Sequence, residues 1–158
     1  MVILFMQYLI IFLISMVPLI ELRGAIPYAI GFKLPLLPSY IICILGNMLP
    51  VPFIFLFARK ILVWGSDKKY IGGFFNWCLK KGERGGKKLQ EKAGRGLYVA
   101  LFLFVGIPLP GTGAWTGTLA ASLLDMDFKK STLAVMCGVV LAGIIMGLVS
   151  GGGFSFIR

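Results

Sequence analysis

The sequence predicts an all-α integral membrane protein made of two inverted repeats, each a broken re-entrant hairpin followed by a spanning helix. Three observations carry this. Of 158 residues, 58% are hydrophobic and 14% charged, with a mean hydropathy of +0.92, whereas a soluble domain has about 25% charged residues. The charges are segregated: Met1–Ala58 holds only Glu21, Arg23 and Lys33, Gly96–Ser150 only Asp125, Asp127, Lys129 and Lys130, and nearly all the rest fall in Arg59–Arg95. The apolar runs are continuous rather than alternating. Barrel strands are therefore excluded, and helices remain as the elements that satisfy their own amides in lipid.

The first half, residues 1–58, begins with an apolar run that has no basic n-region and no small-residue cleavage site, so it reads as a retained helix and not a signal peptide. A break at Pro18–Pro27 follows, then a short apolar piece to Phe32 and a Pro35–Pro38 corner; together these make hairpin 2–34. Ser39–Phe57 is long enough to span, with a kink predicted at Pro50 and Pro52. Residues 59–96 form a basic loop whose Tyr70–Lys80 stretch reads as an amphipathic helix on an anionic surface, and whose Lys81–Gly96 remainder reads as a Gly- and Lys-rich linker. The second half, 97–150, repeats the order: an apolar run Leu97–Ile107, a break Pro108–Gly117, a short piece to Leu124 (hairpin 97–124), then a span Ser131–Val149. Residues 151–158 are a tail. Setting Pro18 on Pro108, an offset of 90, lays Leu19 on Leu109 and Gly24–Ala25 beside Gly113–Ala114.

Leu97–Ile107 rises only about 17 Å as a helix, roughly half the hydrocarbon core. It therefore reads as one arm of a hairpin that turns back at midplane. That topology places thirteen Lys/Arg with the basic loop on the cytoplasmic side, including Lys81 and Lys130, against Lys33 and Arg158 outside, as the positive-inside rule asks. Four plain spans would obey the rule nearly as well. The predicted location is the cytoplasmic membrane, multi-pass. The net charge of +10 is that loop bias, so no nucleic-acid partner is expected, while anionic lipids at the loop are.

Glu21 and Arg23 are the most informative residues. Each costs at least about 2.5–3.5 kcal/mol at the centre of a spanning helix, so neither stands unpaired in lipid. In an unwound break they can pair with each other or with the facing break. The functional reading is a midplane site in which half-helix N-termini and the Arg23 fork face an anion. Gly24 and Pro27 suit one returning half-helix. Pro108, Pro110, Gly111 and Gly113 suit the other, with Thr112 and Thr116 as hydroxyl donors and Trp115 as a platform. Glu21 is the candidate proton carrier. The structural alternative is an ion pair that pins the hairpins, or a membrane-edge position.

These residues carry a resemblance. Glu21-Leu-Arg-Gly-Ala-Ile-Pro27 with Gly31, and Pro108-Leu-Pro-Gly-Thr-Gly-Ala-Trp115, resemble the small multidrug export protein family of bacteria and archaea over nearly the whole chain. The paired broken hairpins are also remotely similar to the DedA/VTT membrane proteins, which are linked to lipid translocation and carry further charges in their breaks. Here Pro108–Gly117 carries none. Taken with the midplane site, the chain reads as a transporter of a small amphiphile, either drug-like or a lipid-linked anion, working by alternating access with proton exchange at Glu21, for which binding a cationic substrate is the competing role. A membrane scaffold recruiting a partner through its basic loop is the alternative. The chain has no His, its three Cys form no CxxC pair, and no paired carboxylates flank a nucleophile. No enzyme, metal site or cofactor is therefore expected. Small residues along Gly138–Gly151, notably Ala142-Gly143 and Gly147, predict a homo-oligomer, a dimer being favoured; the alternative is that these glycines pack within one protomer against the hairpins.

Overall fold

The computed structural model describes residues 1–77, 79–80, 84, 91 and 94–156, with the side chains of 152–156 left out. Cys78, most of the linker expected at Lys81–Gly96, including Lys81, and Arg158 lie outside the described residues.

The elements are helices, as the continuous apolar runs require. In chain order they are α1 (Val2–Met16), α2 (Glu21–Gly31), α3 (Leu36–Met48), α4 (Pro50–Ser66), a short α5 over residues 72–77, α6 (Gly96–Gly106), α7 (Ala114–Leu123) and α8 (Phe128–Phe156). Two stretches, Leu36–Ser66 and Phe128–Gly151, are long and apolar enough to cross a bilayer. The first bends at Leu49, where Pro50 and Pro52 lack the amides that would pair with Gly46 and Met48. It continues past Phe57, the end expected from sequence, because Phe57–Trp64 keeps an apolar pattern through Arg59 and Lys60. Both short helices start early: α2 at Glu21 rather than Gly24, and α7 at Ala114 rather than Thr118. Pro27 therefore sits inside α2 instead of near its start.

The two halves match part for part. In α1 and α6 the offset is 90, with buried Ile11 on Leu101 and Phe12 on Phe102. From α2 onward it is 92, because the second break is two residues longer. The helix ends show this register clearly. Leu34 donates to Ala29 O at 3.0 Å and Met126 to Ala121 O at 3.0 Å, with Lys33 and Asp125 both left-handed between them (φ 57° and 56°). Each is a Schellman-type stop closed by a buried apolar residue, Leu34 or Met126. Gly24–Ala25 thus corresponds to Thr116–Gly117 and not, as expected, to Gly113–Ala114.

Glycine allows a close helix–helix approach at matched positions in each half. A Cβ on Gly46 would collide with Ser15 Oγ and lie 2.7 Å from Phe12 O, and one on Gly138 would lie 2.7 Å from Val105 Cβ and 2.8 Å from Phe102 O. So α3 packs on α1 as α8 packs on α6, backbone nearly to backbone. Other glycines of α8 serve the protomer itself. Tyr40 donates to Gly143 O at 2.6 Å and fills the space beside Gly143 and Gly147. The small-residue face read as an oligomer contact is covered by the chain's own tyrosine, which removes that ground for predicting a dimer.

The two corners lie at different ends of the long helix. Corner 32–35 runs straight into Leu36. Corner 124–127 is tied to Arg59, roughly 35 Å of helix further on, by the Arg59–Asp125 ion pair. The start of α6 meets that second corner: Asp127 N donates to Tyr98 Oη at 3.4 Å, and Lys130 Nζ stands 5.8 Å from the Tyr98 ring centroid.

Gly46→Ala and Gly138→Ala should each lower thermal stability in detergent by about 1–3 kcal/mol, the usual cost of overpacking. Gly31→Ala, with nothing within 4 Å of a new Cβ, should change it little. Equal tolerance at all three positions would contradict this packing.

Candidate functional site

The two breaks meet at Glu21 and Arg23, which open α2. Residues i and i+2 of a helix point apart, and here they reach opposite ends of the other hairpin. The Glu21 carboxylate is 4% exposed. Its Oε2 accepts Ala114 N at 3.1 Å and its Oε1 accepts Trp115 N at 3.0 Å, the first free amides of α7. Arg23 turns the other way, to the carbonyls that end α6. Nη1 donates to Leu109 O at 2.6 Å, while Nη2 lies within reach of Val105 O and Ile107 O, both 3.2 Å, and of Thr112 Oγ1 at 2.9 Å. Negative charge thus meets a helix N-terminus and positive charge a helix C-terminus, each in its favourable place.

The backbone is shaped for this meeting. Leu19 and Glu21 hold φ of 73° and 52°, a left-handed conformation that costs a residue with a Cβ about 1–3 kcal/mol. The second break uses glycine instead, at Gly111 (φ 80°) and Gly113 (φ 140°). A Cβ on Gly113 would also run into the Glu21 carboxylate, so this glycine makes room for that side chain. Thr112 Oγ1 lies 2.9 Å from Leu109 O and 3.0 Å from Ile107 O, closing the loop on itself.

At the 92 offset Arg23 corresponds to Trp115, and Trp115 Nε1 donates to Met16 O at 3.1 Å, the end of α1. Each half therefore sends one donor to the C-terminal carbonyls of the other half's first helix. Glu21 has Gly113 as its counterpart, so the carboxylate has no match.

Of the residues expected at the site, the structure joins Glu21, Arg23, Thr112, Gly113 and Trp115 in one network. Pro108, Pro110 and Gly111 form the loop around it, with Pro110 and Gly111 exposed. Gly24 packs on Ile14 and Ile20. Pro27 faces away, into a shallow hollow of about 320 Å³ with Tyr28, Gly31 and Phe32. The anion expected at the α7 N-terminus is replaced by the chain's own Glu21. The hydroxyl of Thr116 lies 3.4 Å from Gly113 O, and Thr116 borders a larger space.

That space is a cavity of about 720 Å³ between α4 and α7, open along one side, where Phe53, Phe57, Ile61 and Leu119 are exposed. Pro18, Leu19, Trp115 and Thr116 form its end at the breaks, Phe53, Phe57 and Ile61 one wall, and Leu119 and Leu123 the other. Phe74 of α5 reaches its far end. The volume is in the range of drug-sized ligand sites. Sequence reasoning missed these apolar walls because leucine and phenylalanine carry no distinguishing signal in an apolar chain.

Together the features define a helical membrane protein in which two helix breaks are joined by Glu21 and Arg23 beside an apolar cavity. A family model described as putative small multi-drug export protein matches residues 21–145. The chain belongs to that family. No curated protein and no solved structure matches it.

Arg23→Lys keeps the charge but not the fork. It should lower thermal stability by about 1–3 kcal/mol, since hydrogen bonds from charged donors are worth that much. Unchanged unfolding in detergent would count against the role given to the guanidinium.

Proposed function

We propose that this protein is an exporter that carries a small apolar or amphiphilic molecule through the cytoplasmic membrane by alternating access, with the 720 Å³ cavity as its substrate site. The cavity is the observation that carries the reading. It is apolar, of ligand size, and ends on both hairpin breaks, where transporters of this general design place their substrates. Trp115 and Thr116 are the expected site residues that contact substrate. Glu21 and Arg23 hold the hairpins and set how they move.

In this reading each half is a re-entrant hairpin plus a span, and the halves are inverted. The corners at different ends of the long helix support it, as does the meeting of Tyr98 with Asp127 and Lys130. Residues 97–124 then leave from and return to the side of the basic loop, which is cytoplasmic. The counterparts of Leu119 and Leu123 at the 92 offset are Pro27 and Gly31, which line the hollow at the other end. Opening that hollow as the large cavity closes would exchange access. Proton exchange is assigned to Glu21: a neutral carboxyl holds the Ala114 and Trp115 amides less strongly than a charged one, which frees α7 to shift. Oligomeric assembly, if a dimer, uses a face other than Gly143 and Gly147.

The test is transport in proteoliposomes of lipophilic dyes and drugs. Leu119→Trp, which fills the cavity, should cut the rate at least about tenfold, the equivalent of ~1.4 kcal/mol of binding, while the unfolding midpoint stays near wild type. Full transport by a folded, filled variant would rule the cavity out. For topology, a cysteine at Lys33 should react with an impermeant reagent on intact cells and one at Lys130 should not; outside labelling at 130 would favour four plain spans.

A further inference from the structure

We infer that the cavity takes an anionic amphiphile from the leaflet on the basic-loop side, tail toward the hairpin breaks and head group at a lysine rim formed by Lys60 of α4 and Lys68 in the turn after it. This rests on the transporter reading and names the ligand class it leaves open.

The walls hold no charged side chain. Threonine 116 is the hydroxyl among the lining residues and lies at the deep end, beside Trp115. A charged head group therefore cannot go inward, and the rim decides its sign. From Phe53 to Leu62 the α4 wall runs about 14 Å, enough for much of a chain. Along that face Phe53, Phe57, Ile61 and Trp64 follow one another at three- and four-residue steps, and Lys68 lies in the turn just after the helix ends at Ser66. Lys60 Nζ stands 5.6 Å from the ring centroid of Phe57, itself a wall residue. Lys68 Nζ stands 4.5 Å from that of Trp64. The Lys60 ammonium is thus held over a wall ring partway along the space, and that of Lys68 over Trp64 near the end of α4.

The second side of the rim is α5. It folds back on α4, with the Phe75 ring against Gly65 and Asn76 Nδ2 donating to Ser66 O at 3.2 Å. This brings Phe74 to the cavity, stacked at 6.2 Å on Trp77. Exposed Trp64, Tyr70 and Trp77 around it form the aromatic and cationic belt that sits at a bilayer's head-group level. Lys69 adds charge there, and Asp67 subtracts one. Asp125, at the same end, is tied to Arg59, and the Glu21 carboxylate is closed off by two amides. The lining itself carries neither sign; at the rim Lys60, Lys68 and Lys69 outnumber Asp67, since Asp125 is tied to Arg59, so the rim favours an anion over a lipophilic cation.

The full chain with Trp64→Phe and Trp77→Phe keeps both rim rings and leaves Trp115 as the reporter at the deep end. In nanodiscs, chain-brominated phosphatidylglycerol should quench Trp115 saturably, at a mole fraction at least about fivefold below that needed with equally brominated phosphatidylcholine, in line with the attraction one lysine gives an anionic surface. Lys60→Gln with Lys68→Gln should erase the preference, and Ala58→Phe, which narrows the cavity, should remove the saturable phase. Equal quenching by the two lipids, a linear rise without saturation, or a preference for a brominated trimethylammonium amphiphile would each overturn the inference. Dye export with no anion preference would overturn it while leaving the transporter reading standing. Saturable, anion-selective quenching in a protein that exports nothing would sustain it and remove that reading.

Discussion

The two broken hairpins meet end to end through Glu21 and Arg23, and the rest of the membrane segments are arranged around that meeting. A chain that stops its helices in a buried, apolar setting leaves amides and carbonyls without partners, at about 1–3 kcal/mol for each. Two residues of one helix turn answer both needs of the facing hairpin: Glu21 for the amides opening α7, Arg23 for the carbonyls closing α6. The charges that would be prohibitive alone in lipid are held because the breaks require them, and the breaks persist because the charges are there. Trp115 returns a smaller version of the same service to α1.

This mutual dependence explains the asymmetry between otherwise matched halves. The helix stops at Lys33 and Asp125, the glycine contacts at Gly46 and Gly138 and the buried faces all repeat. The breaks do not. The first carries the charged side chains on a strained, non-glycine backbone, while the second is longer and glycine-rich, shaped to receive them. An apolar cavity lies on one side of the lock, between α4 and α7, so its α7 wall is held in place by Glu21.

Much of the fold was legible in the chain, for identifiable reasons. Helices, their order and the proline kink follow from continuous apolar runs and from Pro50 and Pro52. The importance of Glu21 and Arg23 follows from the cost of charge in lipid. What composition could not convey was direction: the same ELR segment is compatible with an internal ion pair, an anion site or a lock on the facing helix ends, and only three-dimensional placement separates them. The 90-residue register failed after the breaks because two extra residues there change no pattern that sequence reading uses. Gly143 and Gly147 were read as an oligomer face since nothing in the sequence says that Tyr40, about a hundred residues away, lies over them. The cavity walls were invisible for the same reason that the membrane character was obvious.

The lock is tested most directly by exchanging its charges, Glu21→Arg together with Arg23→Glu, and measuring thermal unfolding in detergent beside Glu21→Gln and Arg23→Gln. Residues that simply paired with each other would tolerate the exchange, because the pair is restored. Here the exchange points a cation at the α7 N-terminus and an anion at the α6 C-terminus, both the wrong way for the helix dipoles. The swapped protein should be no more stable than the worse of the two single variants. Recovery to within about 0.5 kcal/mol of wild type, the limit of ordinary additivity, would contradict the account.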